Sequence, residues 1–182
     1  MGVLVRWSIV VAVLALAVAP TRAVAPAAQE LSVPDVAAAY LVNFVRFTTW
    51  PSAALPDSTP LVVCVEGNDS VAESLARLTL NRAVKGRTLS VRRTSVDGVL
   101  DACHVFYGAN LNGDRGERLI RATSHLPILT VSDSTDFAKR GGVANFFIDD
   151  GRMRFSVNPD AAVRARLRIS SNLLSLARIV GT

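Results

Sequence analysis

The chain has 182 residues, half of them hydrophobic, with 20 Lys and Arg against 15 Asp and Glu, two His and two Cys. One domain of this length buries most of the surface its unfolded form would expose, so no second domain is required. The formal charge of +5 comes from arginines interleaved with acids, without the continuous basic stripe that neutralises several phosphates together, which argues against a nucleic-acid partner.

The opening stretch, "MGVLVRWSIVVAVLALAVAPTRAVAPAA", has one early charge at Arg6, an apolar run over residues 7–19 and small residues over 23–28. That order predicts a cleaved secretory signal peptide. The run is shorter than the roughly 20 apolar residues a membrane-spanning helix needs. Residues 1–27 are assigned to the signal peptide, with the cut after Ala27 because Pro26 would adjoin a cut after Ala25, and residues 28–182 to the folded domain. Loss of Arg6 and Arg22 lowers the formal charge to +3. The destination is oxidising, where an even number of cysteines normally pairs, so Cys64 and Cys103 are predicted to join two strands in a disulfide.

Ser32-Val33-Pro34-Asp35 predicts a helix start, and Ala37, Tyr40, Leu41, Phe44 and Phe47 continue at helical spacing until Trp50-Pro51. "LVVCVEG" predicts a buried strand. "SVAESLARLTL" predicts a helix capped by Asp69 or Ser70. "RTLSVRR" predicts a more exposed strand and "DACHVFY" an inner one. A helix over residues 114–123, a strand in "PILTVS" and a short helix over 134–140 follow. "VANFFID" and "RMRFSV" flank Asp149-Asp150-Gly151, which predicts an antiparallel hairpin. After Asn158-Pro159 a short helix ends near Ala165, an extended link follows, and a last helix covers 171–180. The alternation predicts an α/β fold: a compact single domain, a mostly parallel central sheet flanked by helices, and an antiparallel hairpin near residues 143–157.

The chemistry-bearing patterns are mostly absent. There is no G-x-S-x-G nucleophile elbow, no C-x-x-C, and neither glycine-rich phosphate motif. Adjacent Cys103 and His104 would point to opposite faces of a strand and are poorly placed to share a metal. His104 and His125 read as a strand residue and a surface residue. Gly141-Gly142 precedes a strand, not the helix N-terminus that a phosphate site uses, so it reads as a cap and a turn. No catalytic residue, metal or cofactor is expected.

Five stretches, "AYLVNFVRFTTWP", "LVVCVEG", "CHVFY", "ILTVSDSTDFAKRGGVANFFIDDGRMRFSVN" and "LRISSNLLSLARIV", resemble the YfiR family of periplasmic regulators over nearly the whole mature chain. The resemblance implies an α/β domain without catalytic residues. It also implies a role as repressor of an inner-membrane diguanylate cyclase, coupled to cyclic di-GMP and biofilm output and relieved by an outer-membrane lipoprotein. Cys64 and Cys103 match a disulfide pair of the family. The family's second cysteine pair, near the Gly-Gly hairpin, has no counterpart here, so redox control through it is not expected. Ser156 stands where the family often has glutamate, which implies a lost or replaced contact. Ser156, Asn158, Arg164 and Arg168 match positions implied to face the partner.

The residues around the last of these carry their own reading. Arg164, Arg166 and Arg168 alternate with apolar side chains, which directs guanidinium groups to one side of an anchored segment, where they can reach carboxylates. The stripe Tyr40, Phe44, Phe47 and Trp50 reads as core, with Trp50 a dimer or partner contact if exposed. The competing reading is a periplasmic small-ligand-binding module, since the last third is similar to the end of some solute-binding proteins. An envelope enzyme ranks last for want of a catalytic constellation.

Overall fold

The computed structural model describes residues 32–181; the expected signal peptide lies outside them. Helix α1, Val33–Phe47, is capped by Ser32, whose hydroxyl accepts from the Asp35 N–H, and Pro34 occupies the first turn. Its buried face, Ala37, Ala38, Leu41, Phe44 and Val45, has the helical spacing read from the sequence. Phe44 packs on Phe155 and Phe146, with ring centroids 5.0 and 5.7 Å away. The helix ends where Thr48–Thr49 (β1) becomes extended.

Leu61–Glu66 (β2) is buried except for Val62. It leads to α2, Asp69–Thr79, capped by Asn68 through its side-chain oxygen and the Val71 N–H. The cap is thus one residue earlier than expected; Gly67, at φ 74°, reverses the chain so that Asn68 takes the position. Leu89–Arg93 (β3) is half exposed, as its alternation predicts. Strand β4, Val105–Gly108, starts later than the apolar run "DACHVFY", because the Cys103 N–H is turned back onto the Leu100 carbonyl. Helix α3 covers Asp114–Thr123 and β5 covers Leu129–Ser132.

The short helix expected over 134–140 does not form. A series of turns replaces it, with Asp136 at φ 55° and Gly141 at φ 113°, and the Gly142 N–H bonded to the Phe137 carbonyl. Gly142 has a packing reason to be glycine: a Cβ there would lie 2.1 Å from the Phe137 ring. The hairpin follows as expected, β6 (Ala144–Asp149) against β7 (Arg152–Val157), with Asp150 and Gly151 both at positive φ in the two-residue turn.

Asn158 caps α4, Pro159–Arg164. Arg168–Ile169 (β8) then pairs antiparallel with β1 as a separate two-stranded sheet. The last helix is far shorter than predicted: α5 is only Ser171–Leu174, and Arg178–Ile179 (β9) pairs parallel with β7. Unpaired ladder groups on the outer side of β7 compete with a helical turn and win, the Val180 N–H closing on the Val157 carbonyl.

The main sheet has the order β3-β2-β4-β5-β6-β7-β9 and is parallel throughout except for the hairpin. Successive strand residues feed opposite faces. Val63, Val105, Tyr107 and Val131 join α1 and α2 in one core, while Cys64 and Phe106 join Leu119, Ile128 and Phe137 in the other. Cys64 and Cys103 form a disulfide inside this second core, with Cα atoms 5.7 Å apart.

Candidate functional site

Two regions gather functional groups. The first is the segment after β7. Asn158 is wholly buried; its amide nitrogen donates to the Ala138 carbonyl at 2.9 Å and its oxygen accepts from the Ala161 N–H at 2.9 Å. It therefore starts α4 and ties it to the turns beneath, and it is not a partner-facing residue: both ends of its carboxamide are satisfied inside the fold.

Downstream, Ala165 and Leu167 are buried while Arg164, Arg166 and Arg168 are exposed. The alternation read from the sequence holds, except that Val163 is also exposed. Arg166 adopts φ 56°, which reverses the backbone at the end of α4, and its guanidinium donates to the His125 carbonyl at 2.9 Å. Arg168 lies on β8 opposite Thr49, and the Ser170 N–H closes on the Phe47 carbonyl. The arginines thus project from a backbone fastened to the end of α1. Among the described residues, none of the three is ion-paired with a carboxylate.

Ser156 and Trp50 do not extend this surface. Ser156 is buried on β7, opposite Asn145 and beside Arg178, and borders a cavity with Asp133 and Lys139. Trp50 is 7 % exposed, and its indole N–H donates to the His104 carbonyl at 3.2 Å. It is core, so the dimer contact suggested for an exposed tryptophan has no residue to make it.

His104 is a structural residue too. Its Nδ1 accepts from the Val62 N–H at 3.0 Å and its Nε2 lies 3.2 Å from the Ala54 carbonyl, so the neutral tautomer with hydrogen on Nε2 fits both partners. Burial pushes its pKa down. His125 is on the surface, as expected.

The second region lies at the carboxyl ends of the parallel strands. Chain order reverses between β2 and β4, since β3 lies on the other side of β2, and open α/β sheets place ligands at such crevices. Here Glu66 accepts from the Val96 N–H at 2.8 Å and pairs with Arg115. Asp133, just after β5, accepts from the Asn110 N–H at 2.8 Å and from the Tyr107 hydroxyl at 3.3 Å. Burial and the Asp133 charge push the Tyr107 pKa up, so its hydroxyl is a donor and not a base. Asn68, Tyr107 and Asp133 border one cavity with Phe146, Phe147 and Met153. None of the three polar residues was singled out from the sequence: Asn68 is the cap of α2 two residues past β2, Tyr107 lies inside β4, and Asp133 directly follows β5. Among the described residues, no group of three or more His, Cys, Asp and Glu is arranged to hold a metal, and no helix is long and apolar enough to cross a membrane.

Two solved structures are similar to this one. A conserved domain protein from Vibrio cholerae O1 biovar El Tor str. N16961 is 18% identical, with a TM-score of 0.50, over 83% of this chain and 61% of that one. The ABC domain in complex with L-Trp from Streptococcus pneumoniae is 11% identical, with a TM-score of 0.48, over 76% of this chain and 59% of that one. The chain thus spans about three fifths of their length, and at 18% identity the first likeness is one of fold alone. Residues 34–178, nearly all of the described fold and both regions above, match the YfiR/HmsC-like family, and the chain belongs to that family.

Proposed function

We propose that the mature chain is a non-catalytic periplasmic regulator that binds the periplasmic domain of an inner-membrane diguanylate cyclase and inhibits it, lowering cyclic di-GMP and biofilm formation. Membership of a family that is generally regulatory supports the class. The observation that carries the mode of action is the exposed segment with Arg164, Arg166 and Arg168, anchored by buried Ala165 and Leu167 and without ion-paired carboxylates among the described residues. Guanidinium groups held on a fixed backbone lose little freedom when they meet acidic side chains, which favours recognition of an acidic partner surface. An outer-membrane lipoprotein that competes for the same surface would release the cyclase.

The test is the double charge reversal R164E/R168E, with affinity for the cognate cyclase's periplasmic domain measured by calorimetry. Binding is expected to weaken at least tenfold with the melting temperature unchanged, because neither arginine is buried or ion-paired within the described fold. Unaltered affinity would rule this surface out.

A further inference from the structure

The cavity at the strand ends has a composition that selects a ligand class. Its volume is about 260 Å³, room for a small organic molecule but not for a drug-sized one. Phe146, Ile148, Met153 and Val33 supply apolar wall, the Phe147 ring lies on the opposite face of β6 under the Arg178 guanidinium at 4.2 Å, and of all the lining residues only Asp133 is charged. Each carboxylate oxygen of Asp133 already takes one N–H or O–H and retains a lone pair for a further donor. Among the described residues it has no basic partner within ion-pair distance.

The framework around that carboxylate is rigid. Asp133 is held by the Asn110 backbone and by Tyr107, whose ring is buried against Phe146 at a centroid distance of 6.0 Å. Asn68 is fixed as the cap of α2. A single anchored carboxylate among aromatic and aliphatic side chains rewards one positive charge on an apolar body. An anion would meet Asp133 unpaired, and a larger polycation would leave charges against apolar wall. The first turns of α1 and α2, which border the cavity through Pro34 and Val71, carry partial positive charge. That field is partial, whereas Asp133 carries a full charge with free lone pairs at hydrogen-bond reach, so the carboxylate sets the sign of the charge the crevice favours.

From this geometry we infer that the crevice between the N-terminal turn of α1, the ends of β2, β4 and β5, and the β6–β7 hairpin is a binding site for a small organic monocation. The ligand is an amine carrying an aromatic or aliphatic body of about ten non-hydrogen atoms. Its ammonium donates to Asp133 and its body packs on Phe146, Ile148 and Met153. The site involves none of Arg164, Arg166 and Arg168, and it stands or falls independently of the cyclase-partner reading.

Met153 is the only methionine besides Met1, so a 13C-methyl label on the mature protein reports directly from the cavity wall. Titration of the wild-type protein with phenethylamine is expected to shift the Met153 methyl resonance saturably, one ligand per chain. Phenethyl alcohol and hydrocinnamate, which keep the body and change the charge, should bind at least tenfold more weakly. Asp133→Asn, which keeps an acceptor for Asn110, should weaken amine binding at least tenfold and leave the alcohol unaffected. Equal binding of amine and hydrocinnamate, or no shift at Met153 with any of the three, would overturn the site, and this wild-type comparison holds even if the variant fails to fold.

Discussion

A few side chains carry more of this protein's behaviour than their types suggest. His104 bridges β2, through the lone pair on its Nδ1, and the loop after β1, through its Nε2 and the Ala54 carbonyl. Protonating Nδ1 would turn the acceptor into a donor facing the Val62 N–H. Burial holds the folded-state pKa below the ordinary 6.5, with Arg87 adding to the effect. The unfolded chain therefore takes up the proton first as the pH falls. Stability from the neutral form is fully present above about pH 6.5 and declines as the pH drops through that value toward the lower folded one. Urea midpoints measured from pH 7.5 to 5 should fall in this window, and His104→Gln should flatten the trend; an equal slope in the variant would remove His104 as its cause. Gly142 is a steric case. Its α-hydrogen faces the Phe137 ring where a Cβ would lie 2.1 Å away, and Phe137 is wholly buried, so the ring has nowhere to go. Gly142→Ala should destabilise by about 1–3 kcal/mol, the usual range for overpacking, seen as a lowered melting temperature without change of fold by circular dichroism. The paired glycine signal was legible in the sequence as a turn; the reason for the second glycine was not, because it lies in a ring brought there by turns that local propensity reads as a helix.

Between elements, the disulfide is the feature that sequence and structure share most directly. Cys64 on β2 and Cys103 just before β4 are 39 residues apart, so the bond closes a loop containing α2 and β3. In the chain-entropy account this stabilises by about 4 kcal/mol. Because both cysteines are buried, a thiol reductant should leave them oxidised in native buffer and reduce them only in denaturant. The Cys64→Ala/Cys103→Ala protein should lose about 2–4 kcal/mol in chemical denaturation; full native stability in that variant would show that the sheet alone holds β2 to β4. The pairing was readable because compartment and cysteine count left one partner each. The fate of residues 171–180 was not, since their helical propensity is local while the free edge of β7 that captures Arg178–Ile179 is formed by residues 22 positions earlier. Trp50 shows the same limit: a helix-end aromatic was a candidate for the surface, and the His104 carbonyl gave its indole N–H a partner in the core.

At the level of the whole molecule, the sheet order separates the two candidate regions. The carboxyl ends of the parallel strands form the crevice around Asp133, and the segment after β7, stitched to α1 through β1 and β8, presents the arginines. Long-range electrostatics then predicts how the proposed complex forms. If the arginine segment steers an acidic partner, raising ionic strength from about 0.05 to 0.3 M should lower the association rate far more than it raises the dissociation rate. R164E/R168E should lose most of that salt dependence; an association rate insensitive to salt in the wild type would count against steering. The sequence by itself determined the hydrophobic periodicities, hence the α/β class, most strands and helices, the hairpin and the cysteine pair, because each depends on residues close together in the chain or on composition. Only the tertiary structure decided the strand order, the capture of β9, the burial of Trp50, Ser156 and Asn158, and the meeting of Asn68, Tyr107 and Asp133 around one cavity. Those depend on backbone groups left unpaired at sheet edges and on which strand ends become neighbours, and neither is written in any local stretch of residues.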